Sequence, residues 1–245
     1  MRTWTPYELN QLIKHGFAID SLEEYGEMPV EYITGWAEFA GLEFMVSPAV
    51  LIPRIESLEL IDLAEEFCQH KDNPNMADVA CGSGCLGVAL TMKLDKKGRK
   101  YSMVLSDISP SAVEIAKKNS LGAMLFHLPG VILSDLFVKY PEGVKFDLVM
   151  ANLPYIPSRR LKSLPKSVID YEPRLALDGG PDGLAVIKRL LQQLSERLAP
   201  GGTAILEIDE TRKLTDFDRF WNDKIKIQKD QFGKNRFLIA YRTAL

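Results

Sequence analysis

Asn152-Leu153-Pro154-Tyr155, followed by Ile156-Pro157, is a stretch suited to holding a weak nitrogen nucleophile. The lone pair of a planar amide or arylamine nitrogen is delocalised and attacks poorly. The Asn152 side-chain oxygen and the Leu153 backbone carbonyl are two acceptors that can bind its two N–H hydrogens. Held this way, the nitrogen leaves its resonance plane and its lone pair points at an electrophile. Tyr155 offers a flat wall for the planar group. Such a site works by positioning and by stabilising positive charge on nitrogen, so it needs no strong general base. That suits a chain whose three histidines are scattered at His15, His70 and His127. An NxPY stretch after a strand is also a common plain turn.

A second cluster lies upstream. Gly82-Ser83-Gly84-Cys85-Leu86-Gly87 matches G-x-G-x-x-G between a strand and a helix, and Asp107 lies twenty residues beyond Gly87. The pattern fits dinucleotide sites and S-adenosylmethionine (SAM) sites alike. Asp78, just ahead of the loop, separates the two: a carboxylate opposes a pyrophosphate and favours the ammonium and sulfonium of SAM. Asp107 ends the next strand, where it can accept two ribose hydroxyls. Asp135, in Ser134-Asp135-Leu136-Phe137, is placed to meet the adenine amino group. Each acid is also of a type that caps loops. With Ala80, Gly82, Gly84, Ile108, Leu136 and Asn152, these acids make up the expected cofactor-binding set. Cys81 and Cys85 have no further Cys or His near them, so no metal site is expected.

The surrounding elements must present these residues on one edge. A thin apolar stripe (Leu9, Leu12, Ile13) predicts a helix over 6–15, and a β-hairpin is expected from Tyr32-Ile33 to Ser47-Pro48. Helices are predicted over 54–70, 85–93 and 182–198, the last closed by Gly201-Gly202. Ser109 reads as the N-cap of another, with Pro110 at its first position. Strands are predicted over 76–81, 102–106, 131–133, 146–151 and 203–208, and 225–229 with 236–242 reads as an antiparallel hairpin. Strands alternating with helices imply a mostly parallel sheet with right-handed crossovers. The terminal hairpin departs from a nicotinamide-binding order and is what a methyltransferase-type sheet carries.

The composition agrees with an ordinary globular chain: 245 residues, 46% hydrophobic and 26% charged, too apolar for a disordered chain and too poor in cysteine for a disulfide scaffold. Thirty basic against thirty-three acidic residues give no overall attraction to nucleic acid or membrane. No apolar run reaches the roughly 18 residues of a membrane span. The start lacks the apolar core of a signal peptide, and three cysteines suggest reduced thiols, so a cytoplasmic protein is expected.

From about Val30 to the end the chain resembles the HemK/PrmC family of glutamine-N5 methyltransferases. The resemblance is carried by Tyr32-Ile33-Thr34-Gly35, Leu51-Ile52-Pro53-Arg54, the glycine loop, Ser134-Asp135-Leu136-Phe137 and Asn152-Leu153-Pro154-Tyr155. Glu172-Pro173-Arg174-Leu175-Ala176-Leu177-Asp178-Gly179-Gly180 carries it further. It implies a Rossmann-like class I methyltransferase sheet, with a helical segment over 1–30, a hairpin linker over 31–53 and a catalytic domain over 54–245. It implies methyl transfer from SAM, leaving S-adenosylhomocysteine, to a protein glutamine amide. That glutamine is typically the GGQ glutamine of a peptide release factor, or one in a ribosomal protein. On the matching positions, Asn152, Leu153, Pro154 and Tyr155 form the catalytic tetrapeptide, and Arg54 and Glu56 sit with Asn152 and Tyr155 on the substrate side. Arg54 and Glu56 read equally as an ion pair at a helix start.

The chain departs from the family at four places. Leu153 replaces the first proline of NPPY. Ala80 replaces the first loop glycine, which a negative φ there would accommodate. Ile55 and Ser57 replace a usual Pro and Thr, and the family's N-terminal recognition domain is much longer than residues 1–30. NLPY with the basic clusters at 93–100 and 159–166 keeps an alternative open, an adenine-N6 methyltransferase of RNA or DNA. A catalytically silent SAM-binding partner protein is the other; a nicotinamide oxidoreductase fits Asp78 poorly. The oligomeric state is not readable from the sequence.

Overall fold

The computed structural model describes residues 2–20 and 22–244; Met1, Ser21 and Leu245, which fall within the expected 1–30 and 54–245 segments, lie outside the described residues. Thr5 starts the first helix, α1 (Pro6–Lys14). Its hydroxyl accepts the Glu8 N–H while the Glu8 carboxylate accepts the Thr5 N–H, and Pro6 sits where no intrahelical N–H bond is needed. Leu12 is buried, but Ile13 is exposed, so the apolar stripe is thinner than its spacing suggests. Gln11 and Lys14 both donate to Glu38, which ties α1 to the hairpin beyond it.

Tyr32-Ile33 is helical, not the start of a strand. α2 (Val30–Thr34) begins after Pro29 and ends at Gly35, whose φ of +81° supplies the left-handed cap. The hairpin follows as β1 (Trp36–Phe39) and β2 (Leu42–Met45), paired antiparallel. A short 3-10 turn, Ile55–Ser57, precedes α3 (Leu58–Gln69). Then come β3 (Asn75–Val79), α4 (Cys85–Lys96), β4 (Ser102–Asp107), α5 (Pro110–Gly122), β5 (Gly130–Leu133) and β6 (Phe146–Ala151). Ser109 caps α5 as expected, its hydroxyl accepting the Ala112 N–H.

Two one-turn helices, α6 (Lys166–Ile169) and α7 (Arg174–Leu177), lead to α8 (Ala185–Arg197), β7 (Leu198–Glu207), β8 (Ile225–Lys229) and β9 (Asn235–Tyr241). Gly201-Gly202 does not end α8. Leu198 already pairs with Phe146, and the register shifts before Thr203 meets Leu148. Gly201 takes a φ of +73°, and a Cβ on Gly202 would stand 2.9 Å from the Phe146 carbonyl oxygen. The two glycines therefore let an irregular strand pass close to β6.

The seven-stranded sheet has the order β5-β4-β3-β6-β7-β9-β8, parallel up to β7 and antiparallel through β9 and β8. Helices cover both faces, so the central strands are apolar on both sides. Met76, Leu105, Leu148 and Ile205 pack against α3 and α4, while Ala77, Val149 and Leu206 pack against Ile187, Leu190 and Leu194 of α8. The chain leaves β3 toward β4 on one side and returns to β6 on the other. This reversal opens a crevice at the carboxyl ends of β3 and β6.

Asn119 on α5 ties the hairpin to that crevice. It is buried, its Oδ1 accepts the Met45 N–H at 2.7 Å, and its Nδ2 donates to the carbonyls of Met45 (3.0 Å) and Ser83 (2.8 Å). Asn119→Ala strands three backbone groups and is expected to cost about 2–4 kcal/mol of stability, read by urea unfolding. A loss under about 0.5 kcal/mol would show that the tie is dispensable.

Candidate active site

The loop from β3 to α4 turns through Ala80 (φ +59°), Gly82 (φ +55°) and Gly84 (φ +79°). Ala80 does not take the negative φ that would accommodate its side chain without strain. The chain must reverse between strand and helix within five residues, and a left-handed residue does this at a cost of about 1–2 kcal/mol where a Cβ is present. Leu136, after β5, also has a positive φ, +50°. Both residues line the same cleft, so side-chain-bearing strain gathers there.

Asp78 points away from the cleft. Side chains alternate along β3, which puts Asp78 on the Met76 face beneath α4. It is fully buried, Oδ2 accepts the Gly87 N–H at 2.9 Å, and Oδ1 has no partner among the described residues. A Cβ on Gly87 would stand 2.3 Å from Leu105 and 3.1 Å from the Asp78 carboxylate, so only glycine lets α4 start this close to the strand. Burial pushes the Asp78 carboxyl up to about 7, against the pull of the Gly87 N–H. Asp78 thus supports the loop from below.

Asp107, at the end of β4, lines the cleft. Its Oδ2 accepts the Gly82 N–H at 2.9 Å and its Oδ1 the Ser109 N–H at 2.8 Å. Burial raises its pKa and these bonds oppose the rise. Each oxygen keeps a lone pair for a diol. Ile108 beside it is half-exposed. Asp135 pairs with Arg189 of α8 at 2.5 Å, and both line the cleft.

Asn152 leaves β6 across from the loop. Its Nδ2 donates to Ser57 Oγ at 3.2 Å and to Glu207 Oε2 at 3.1 Å. Ser57 Oγ donates to the same Glu207 oxygen at 2.5 Å, and Tyr155 Oη donates to Glu207 Oε1 at 2.9 Å. Glu207 is 1% exposed at the carboxyl end of β7, and burial raises its pKa while the Ser57 and Tyr155 bonds lower it. Burial and the neighbouring Glu207 charge keep the Tyr155 phenol protonated far above its ordinary range. Sequence reasoning missed Glu207 and gave Ser57 no role. The available signal was an acidic residue ending an apolar run, Ala204-Ile205-Leu206-Glu207.

One cleft of about 350 Å³ collects Arg54, Ala80, Gly82, Asp107, Ile108, Asp135, Leu136, Asn152 and Pro154. Five other expected site residues lie outside its lining. Asp78 is under the loop, and Gly84 packs on Ala116 and Leu105. Leu153 is buried in the core on the α8 side, while Tyr155 turns its hydroxyl to Glu207. Glu56 makes no ion pair with Arg54, whose partner is the buried Glu172. That pair joins two wall segments of the cleft 118 residues apart.

The lining suits SAM and not a dinucleotide. Its two arginines, Arg54 and Arg189, are paired with Glu172 and Asp135, so among the described residues the lining offers no free cation to a pyrophosphate and keeps Asp107, neutral polar groups and apolar surface. The basic clusters are also partly neutralised: Lys93 and Lys97 pair with Glu65, and Arg160 with Asp209. Among the described residues no helix is long and apolar enough to cross a membrane, and no group of three or more His, Cys, Asp or Glu could hold a metal ion.

Residues 61–169 match the Methyltransferase small domain family. A release factor glutamine methyltransferase from Moorella thermoacetica is 38% identical over 224 residues, 87% of this chain and 75% of the relative. One from Leptospira interrogans is 37% identical over 243 residues, 96% of this chain and 82% of the relative. A T. thermophilus 16S rRNA methyltransferase, solved with AdoMet and guanosine, superposes with a TM-score of 0.59 at 18% identity, over 84% of this chain and 49% of the other, a likeness of fold alone. The chain has the class I sheet, a cleft at the carboxyl ends of its strands and relatives above 30% identity over most of their length, and it belongs to the release factor glutamine methyltransferase family of SAM-dependent methyltransferases.

Proposed function

We propose that this methyltransferase methylates a glutamine side-chain amide in a protein, and that the protein is a peptide release factor, the substrate named for its relatives. The observation that carries the reading is the pinned Asn152 amide. Glu207 as a carboxylate only accepts, so the Asn152 group facing it is the NH2, and the Asn152 oxygen is left to accept from a substrate N–H. The Leu153 carbonyl would take the second N–H. Pro154 would keep the turn rigid, and Tyr155 would brace it from behind through Glu207.

SAM supplies an electrophilic methyl group, whose bond to sulfur breaks with both electrons staying on sulfur as the glutamine nitrogen lone pair closes on carbon. Asp107 would hold the ribose, Ile108 and Leu136 the adenine faces, and Asp135, steadied by Arg189, the adenine edge. Gly82 and Ala80 would let the methionine part approach the backbone, with Asp78 acting on it only through the loop. The two acceptors at 152 and 153 would stabilise positive charge developing on nitrogen, whose surplus proton leaves to water. A translation factor as substrate would place the enzyme in the cytoplasm.

Labelled methyl-SAM incubated with a release factor is expected to mark a glutamine on peptide mapping; label that appears only on nucleic acid and vanishes with nuclease would sink the proposal. Asn152→Ala is expected to abolish transfer while SAM affinity stays within about twofold, and retained turnover would remove Asn152 from its role. Asp107→Ala should weaken SAM binding by about 1–3 kcal/mol by calorimetry, from loss of charge-assisted bonds.

Asp78 makes the ligand-free fold pH-dependent. Its folded pKa, pushed up to about 7, exceeds that of the unfolded chain, so the folded state holds the proton more tightly. That stability is present at low pH and is lost as pH rises through about 7. Asp78→Asn removes this titration, so its melting temperature should gain on the wild type between about pH 5 and about pH 8. Parallel profiles for the two proteins would show that Asp78 does not titrate there.

A further inference from the structure

We propose that Glu207 is a positioning residue for methyl transfer, a buried acceptor that fixes which end of the Asn152 amide faces the cleft and holds Tyr155 in line behind it. The inference rests on the reading of Asn152 as the group that accepts from the substrate amide. Both Asn152 Nδ2 hydrogens are occupied, one by Ser57 Oγ at 3.2 Å and one by Glu207 Oε2 at 3.1 Å. Ser57 cannot choose the orientation by itself, because a hydroxyl serves an amide oxygen as readily as an amide nitrogen. Its own hydrogen is committed to Glu207 at 2.5 Å, which leaves only its lone pairs for Asn152. The carboxylate therefore sets the polarity of the whole network. With an acceptor-only group at 207, Ser57 points its hydrogen inward, Asn152 points its NH2 inward, and the Asn152 oxygen faces out.

The position is costly for the fold. Glu207 is 1% exposed and forms no salt bridge among the described residues. The nearby Arg236 is engaged with Asp230. Its partners come from two separate places in the chain, the 55–57 turn and the tetrapeptide after β6, and it joins both to the end of β7 that carries it. A buried carboxylate without a counter-ion at the mouth of a sheet crevice is what a functional constraint leaves behind, since an apolar residue would serve packing better. Its negative charge behind the amide also polarises Asn152 toward its oxygen, strengthening that oxygen as an acceptor while the substrate nitrogen becomes positive.

A polarity-swap cycle tests this. Glu207→Gln places an N–H where the network needs only acceptors, and Asn152→Asp sets a second carboxylate against Glu207. Each alone should lower kcat at least about tenfold with SAM affinity within about twofold. The double variant Asn152→Asp/Glu207→Gln restores one donor facing one acceptor, in the reverse direction, and again leaves an oxygen toward the cleft. Its kcat should exceed that of Asn152→Asp. A merely structural Glu207 gives additive losses, and that result would overturn the proposal.

Two further measurements keep the test decisive. Ser57→Ala removes one restraint on the Asn152 amide without touching the buried charge, so it should lower kcat with unchanged SAM affinity even if Glu207→Gln fails to fold; wild-type kcat in Ser57→Ala counts against the proposal. The Asn152 side-chain amide resonances, identified by their absence in Asn152→Asp, should exchange slowly with solvent in the wild type and faster in Ser57→Ala and in any folded Glu207→Gln. Equal exchange in all of them rejects the positioning role. This readout needs no substrate: if the wild type methylates no glutamine, the substrate reading falls while the resonances still decide Glu207.

Discussion

The parallel pairing of β3 with β6 is the constraint on which the cleft depends. Asp78 sits opposite Met150 in the ladder, so Ala80 and Asn152 each emerge two residues beyond a paired position. Adjacent strands lie about 4.8 Å apart, which brings the glycine loop and the tetrapeptide to the two lips of one crevice. β4 and β7, paired outside these two, bring Asp107 and Glu207 to the same edge. A slip of one residue between β3 and β6 would turn Asp78 toward the α8 side and bury Asn152 against apolar neighbours.

Three carboxylates at that edge, Asp78, Asp107 and Glu207, share a physical character. Each is buried, each has its pKa raised by that burial, and none forms a salt bridge among the described residues. Neutral donors compensate them instead: the Gly87 N–H for Asp78, the Gly82 and Ser109 N–H groups for Asp107, and three side chains for Glu207. Donors of this kind orient a carboxylate without cancelling its charge. Asp107 and Glu207 give the site a negative field suited to a cationic methyl donor and to positive charge on a nitrogen. The left-handed backbone of Ala80 and Leu136 adds a further cost at the same place.

Packing behind the edge keeps these groups still. Asn119 holds Ser83 and Met45 together, so the hairpin and the loop move as one body. The Arg54–Glu172 pair closes the opposite wall, and Arg189 braces Asp135 from α8. These ties reach far along the chain, and each ends on a residue of the cleft or one beside it.

Local chemistry was readable from the sequence. The helix that opens at Pro6, Ser109-Pro110 at the start of α5, the apolar run of β6 and the terminal hairpin each depend on neighbours within a few residues, and they fold as their spacing predicts. The alternation of strands with helices, and with it the class I sheet, follows from the same local patterns. Where a local pattern admits two outcomes the reading failed. Tyr32-Ile33 became helix because Gly35 could cap it, Gly201-Gly202 entered a strand instead of ending a helix, and Ala80 took a left-handed conformation despite its Cβ. Ser57, Asn152 and Glu207 are separated by up to 150 residues, and Arg54 from Glu172 by 118, so no periodicity connects them. The sequence by itself determined which residues could bind a cofactor or hold an amide, because those capacities belong to side-chain chemistry. Only the tertiary structure decided that Asp78 works beneath the loop and that Glu207 stands behind Asn152, because strand pleat and sheet order set the direction of each side chain.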